Sequence, residues 1–169
     1  MRLLELGPTD GPVLDCAGYD WLISRNYRHI LKRDVLDRFP GRAINMHISF
    51  LPYNRGADPN LWAAVDNTKS GVTIHAIDEG IDTGPIYAQR EIVIGDDETL
   101  ASSYEKLQRA MDALWLETWP LILNGLRPTP QVGRGTYHRK ADRPVHLLTR
   151  GWETRVGDLR RARTPSAPR

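Results

Sequence analysis

The stretch Ala43–Gly84, AINMHISFLPYNRGADPNLWAAVDNTKSGVTIHAIDEGIDTG, decides the reading of this chain. It opens on an apolar run that ends in Asn45-Met46-His47. Alternation along a strand sends the Asn45 and His47 side chains to one face, with their Cα atoms about 6.6 Å apart. A carboxamide and an imidazole thereby share one pocket. The Pro- and Gly-containing segment after them reads as a loop, and a helix follows with Asp58 at its N-cap and Pro59 at its first position. An alternating strand from Gly71 to Asp78 comes next, with Val72, Ile74 and Ala76 on one face and Thr73, His75 and Ile77 on the other. His75 reads first as a satisfied structural histidine and second as a pocket wall. The turn DEGIDTG then sets Asp82 beyond a strand end, where open α/β sheets hold their ligands. An amide donor, an imidazole and a carboxylate are the groups that acyl transfer to an amine requires.

Composition bounds the surroundings of this stretch. The 169 residues are 40% apolar and 26% charged, the balance of a soluble globular domain. Cys16 is the only cysteine, which excludes an internal disulfide and a Cys-pair metal site. No metal is expected. No apolar run approaches about 18 residues and no signal peptide is read at the start, so a cytoplasmic protein without membrane association is expected. Charge is uneven: residues 1–126 carry 12 Lys+Arg against 18 Asp+Glu, and residues 127–169 carry 11 against 3. The first part is acidic and the tail basic. Such a tail suits phosphate, although its last residues, RRARTPSAPR, have the composition of a solvated, partly disordered end.

NMHISFLPYNRGADP followed by GVTIHAIDEGIDTG resembles the signature of the folate-dependent formyltransferases, the family of glycinamide ribonucleotide, methionyl-tRNA and sugar-nucleotide N-formyltransferases. The likeness runs back through ISRNYRHILKRDVLDRF and forward to about Gly125. It implies an α/β, three-layer Rossmann-like formyltransferase fold with a mainly parallel sheet, a catalytic domain over 1–126 and a basic extension over 127–169. It also implies transfer of a formyl group from 10-formyltetrahydrofolate, a co-substrate, to a primary amine of a small molecule. An amino sugar nucleotide is the favoured amine, because GTYHRKAD is similar to a segment of the sugar-nucleotide enzymes. The tail is too short for the barrel domain that holds tRNA, so no nucleic-acid partner is expected. Hydrolysis of the folate and a non-catalytic folate-binding or interaction module are the alternatives.

Site residues follow from the resemblance. Asn45 is the oxyanion donor, His47 stabilises the oxyanion or carries the proton, and Asp82 orients the imidazole or accepts the amine proton through water. Tyr27, Arg28, Ile30 and Leu31, with Ile77, Asp78 and Gly80, line the folate pocket. Ser49, Arg55 and Gly56 belong to the loop that frames the substrate entrance, with Arg55 as its anion contact. His29 is open between a packing role and a place in the pocket, and Arg25 reads as a surface residue.

The front of the chain departs from the family. Only 13 residues separate Gly7 from Trp21, whereas the resemblance implies a helix, two strands and a second helix there. VLDCAGY offers two helical turns at most. Loss of edge strands on the N-terminal side leaves the first strand, Arg2 to Leu6, as a sheet edge, and an uncovered edge is a route to a homodimer. The loop GPTDG, with an acid and with a Pro that has no N–H, is poorly suited to a phosphate. Elsewhere a short helix is expected over Asp34–Phe39 and a strand over Pro85–Ile94. A long helix capped by Thr99 runs to Leu123, and a short strand lies near Gln131–His138.

Overall fold

Strands form where short apolar runs alternate, and their order sets the site. The structure, a computed structural model, describes residues 1–13 and 15–162. Five strands make one sheet: β1 (Leu3–Leu6), β2 (Trp21–Arg25), β3 (Ala43–His47), β5 (Gly71–Ala76) and β6 (Ile86–Glu91), in the order β1-β2-β3-β5-β6. A two-residue strand β4 (Arg55–Gly56) pairs in parallel with β7 (Tyr137–His138). The helices are α1 (Arg33–Leu36), α2 (Pro59–Val65), α3 (Leu100–Leu123) and α4 (Val156–Ala162).

The mainly parallel expectation holds on the N-terminal side and stops at β3. β1, β2 and β3 run parallel, whereas β5 is antiparallel to β3 and β6 to β5. β1 stands at the sheet edge. The segment before β2 holds no helix among the described residues, so coil around Val13, Cys16 and Tyr19 packs on Leu6, Leu22, Phe39 and Ala43 where two helical turns were expected. The expected helix 34–39 is reduced to Arg33–Leu36.

The other face carries the larger core. Ile44, Met46, Val72 and Ile74 meet Leu107, Met111, Leu114 and Ile122 of α3. This is the alternation read from the sequence, since neighbouring strand residues point to opposite faces. Thr99 caps α3: its hydroxyl accepts the Ser102 N–H at 3.1 Å, and the Ser102 hydroxyl accepts the Thr99 N–H at 3.0 Å. That reciprocal pair satisfies two otherwise unpaired donors. Among the described residues no helix is long and apolar enough to cross a membrane.

The basic extension folds back. Val156 and Leu159 of α4 are 2% and 1% exposed and join the α3 side core, because α4 presents apolar positions at i and i+3 while Asp158, Arg160 and Arg161 face outward or pair. The disorder expected of RRARTPSAPR falls largely on 163–169, outside the described residues; Arg160–Ala162 are helical. Leu159→Ala should cost about 2–5 kcal/mol of stability by cavity formation, read as a lowered midpoint in urea unfolding. A shift under half a kilocalorie would mean that α4 docks without contributing to the core.

Candidate active site

Three side chains meet at the C-terminal end of β3. Asn45 and His47 project from the sheet face opposite α3, and Asp82 comes to them from the loop after β5. Asp82 adopts a left-handed backbone, φ +53°, which Asp tolerates better than most residues. That turn aims its carboxylate inward. One oxygen accepts the Asn45 Nδ2–H at 3.0 Å and lies 3.5 Å from His75 Nε2. The other accepts the Gly56 N–H at 2.8 Å and lies 3.7 Å from His47 Nδ1.

His75 joins this cluster, against the first reading of it as a structural histidine. The reason is the antiparallel register: Asn45 stands directly opposite His75 across β3 and β5, which sets their Cβ atoms about 4.5–5.5 Å apart. Its Nδ1 sits 2.8 Å from the Ala76 carbonyl, which can only accept, so Nδ1 carries the proton and the neutral ring's Nε2 is an acceptor. The Asn45 amide, 3.3 Å away, donates to it. Both Asn45 N–H bonds are thus engaged, one by Asp82 and one by His75.

The same reasoning fixes His47. Its Nε2 donates to the Asn54 carbonyl at 3.0 Å, leaving Nδ1 as the basic nitrogen, turned toward Asp82. Burial alone would raise the Asp82 carboxyl. The charge that the His47 and His75 rings carry when protonated, the hydrogen bond from that form of His75, and the Gly56 N–H outweigh it and hold the group well below the usual carboxylate range. A depressed native pKa gives stability that is complete above the unfolded Asp value of about 3.9 and is lost as pH falls through the native value. The stability gap between wild type and Asp82→Asn should therefore stay level from neutral pH to about 5 and narrow below about 4. Urea titrations at stepped pH would read it; a gap that narrows already between pH 7 and 5 would show that Asp82 is not held ionised.

The cluster opens into a cleft of about 1040 Å³. Tyr27, Arg28, Ile30, Leu31, Ile77, Asp78 and Gly80 all line it, as do Gly56 and His29. Ile30 is 74% and Ile81 41% exposed there, apolar surface that a flat ring would cover. Asn26 takes φ +55°, so the turn into the Tyr27 segment forms without glycine.

Three expectations need correction. Ser49 does not line the cleft: it is 2% exposed and donates its hydroxyl to the Tyr53 carbonyl. Arg55 is also turned from the cleft, since its guanidinium donates to Gln131 Oε1 at 2.7 and 3.2 Å. Asp58 precedes α2 but caps nothing; its backbone is left-handed and its carboxylate pairs with Arg143 at 3.4 Å. Arg25 is partly exposed, in keeping with the surface reading, and bonds Gln108 and Asp112 of α3.

Gln131, expected only as the start of a strand that is in fact confined to Tyr137–His138, has a different role. Its amide donates to the carbonyls of Asp82 and Gly84, both at 2.8 Å, and so clamps the loop that presents the carboxylate. A lone glutamine in a basic tail carries no local signal for that. The loop GPTDG closes on itself, the Gly7 N–H donating to Asp10 at 2.6 Å.

At the end of β3 in this parallel-then-antiparallel sheet, Asn45, His47 and Asp82 bring together groups that acyl transfer can use. A family model described as Formyl transferase matches residues 12–118, and the chain belongs to the formyl transferase family. It is 41% identical over 111 residues to a methionyl-tRNA formyltransferase of Myxococcus xanthus, covering 64% of this chain and 36% of that protein. It is 38% identical over 109 residues to a dTDP-4-amino-4,6-dideoxyglucose formyltransferase of Mycobacterium tuberculosis, covering 61% of this chain and 47% of that one. The chain spans less than half the length of these curated relatives. Among solved structures it resembles the formyltransferase PseJ from Anoxybacillus kamchatkensis, in complex with UDP-4,6-dideoxy-4-formamido-L-AltNAc and tetrahydrofolate. The TM-score is 0.89 at 40% identity, over 94% of this chain and 97% of that one.

Proposed function

We propose that this chain transfers the formyl group of 10-formyltetrahydrofolate to a primary amine of a small molecule, and that the amine belongs to an amino sugar nucleotide. The observation that carries the reading is the meeting of Asn45, His47 and Asp82 at the wall of a cleft that Tyr27–Leu31 and Ile77–Gly80 also line. When bound, the co-substrate supplies a formyl carbon on N10: the amine–carbon bond forms, the carbon–N10 bond breaks, and the amine's extra proton passes to N10.

The residues divide that work. His47 Nδ1, unprotonated while Nε2–H is tied to Asn54, takes the proton from the attacking nitrogen and returns it to the leaving one. Asp82, ionised and 3.7 Å away, stabilises the imidazolium between those events. Asn45 is the oxyanion donor. It exchanges its 3.3 Å bond to His75 for the developing oxygen, while its bond to Asp82 keeps the amide oriented.

Two findings support the amino sugar nucleotide. Similarity to PseJ extends over nearly the whole of both chains. The closed Gly7–Asp10 loop offers no open nest for the phosphate of a ribonucleotide amine. The test is release of tetrahydrofolate from 10-formyltetrahydrofolate with amino sugar nucleotides, with methionyl-tRNA, and with no amine. Release that needs the sugar nucleotide is expected. Formate release without amine would make the chain a hydrolase, and no loss with any acceptor would leave a folate-binding module.

A further inference from the structure

The cleft stands at the upper end of the size range for a ligand site. Sites for single drug-sized ligands run to about 1,000 Å³, and this one, at about 1040 Å³, is bounded by two different parts of the chain. One part lies within the family-matched residues 12–118 and holds the catalytic cluster. The other comes from beyond it: Tyr137, His138, Arg139, Lys140, Arg143 and Trp152. What the family shares is formyl transfer, so the wall that lies outside the matched segment belongs to whatever differs between members.

That wall has a definite chemistry. Its lining residues include three cations and no carboxylate. Arg139 is fixed by Asp142, which accepts from its Nε at 3.0 Å and from one Nη at 2.8 Å. Arg143 faces Asp58 through Nε alone. Lys140 is exposed, and its ammonium has no hydrogen bond or ion pair among the described residues. An unpaired ammonium lining the same cleft as two oriented guanidinium groups suits an anion with several oxygens. Two half-exposed aromatic residues line the same cleft. Tyr137 is 50% and Trp152 48% exposed, and Trp152 is held edge-on against Tyr104 at 5.5 Å. An exposed ring beside a cationic patch suits a planar base beside a phosphate chain.

The patch is also held in register with the catalytic cluster. β7 pairs with β4, the Ala57 N–H donates to the His138 carbonyl at 2.9 Å, and the adjacent Gly56 N–H holds Asp82 at 2.8 Å. His138 stacks on Trp62 with centroids 3.8 Å apart, which stiffens the same junction.

We propose that Lys140, with Arg139 and Arg143, binds the diphosphate of a nucleoside-diphosphate acceptor, and that Trp152 or Tyr137 covers its base. This rests on the sugar-nucleotide reading above and assigns that acceptor its anchor. The folate's glutamyl carboxylates are the competing source of negative charge, so the test separates the two.

Calorimetric titration of the full chain with uridine diphosphate, thymidine diphosphate, inorganic pyrophosphate and folinic acid does so. Wild type should bind pyrophosphate and at least one nucleoside diphosphate. Lys140→Glu should weaken both by about tenfold or more and leave folinic acid within about twofold. Either Trp152→Ala or Tyr137→Ala should weaken the nucleoside diphosphate and spare pyrophosphate. The proposal is overturned if wild type binds neither phosphate probe, if Lys140→Glu binds them as wild type does, or if it loses folinic acid in parallel. Failure of the transfer reading would look different: no formyl loss with any amine, with the phosphate affinities intact.

Discussion

Asp82→Asn should lower formyl turnover by about 10³-fold or more, measured per folded molecule because loss of the carboxylate also costs stability at neutral pH. The carboxylate has two acceptor oxygens in use at once, for Asn45 at 3.0 Å and the Gly56 N–H at 2.8 Å, with an imidazole near each. A carboxamide has one acceptor oxygen. Its NH₂ would therefore confront either the Asn45 amide or Gly56, donor against donor, and the negative charge that stabilises a His47 imidazolium is gone. Asn45→Ala should cost about 10²–10³ and His47→Ala about 10²–10⁴. Because the three act as a unit, the Asn45→Ala, Asp82→Asn double variant should be little worse than Asp82→Asn alone. Single-turnover tetrahydrofolate formation measures each. Wild-type rates in all three single variants would remove the cluster from the chemistry, whatever the acceptor.

The parts of this site that were legible in the sequence are those fixed by period and order. Asn45 and His47 share a face because strand side chains alternate, and Asp82 follows a strand end because a Gly-rich turn contains it. His75 has the same alternation, on the face of Thr73 and Ile77, but period says nothing about strand direction. Only the antiparallel register of β3 and β5 turns it onto Asn45. Arg55 failed for a different reason. A loop arginine flanked by Gly reads as an anion contact until its partner is known, and its partner Gln131 lies 76 positions away. The front of the chain was read as shortened, and β1 does stand at the sheet edge; the coil that covers Leu22 and Phe39 there has no periodicity by which to foresee it. The docking of α4 was not legible because charge dominates the composition there, whereas two buried apolar side chains decide where the helix goes.

Those two side chains argue for a second large effect. A chain ended at Leu126 should lose its cooperative fold, even though the sequence marks 1–126 as a unit. Val156 and Leu159, nearly without solvent exposure, would leave the α3 side core open; burying such side chains contributes about 1.5–3 kcal/mol each. Against a total stability of about 5–15 kcal/mol, that loss alone is severe. Truncation also removes the Thr129 bridge to Ile86, the Gln131 clamp on Asp82 and Gly84, and the β7 partner of β4. Far-ultraviolet circular dichroism during urea unfolding should show a shallow transition at low denaturant, and folinic acid should not restore it. The alternative outcome is as definite: a 1–126 chain with a steep transition near that of the full protein would mean that the family-shared region carries its own core and that the extension is an added acceptor wall.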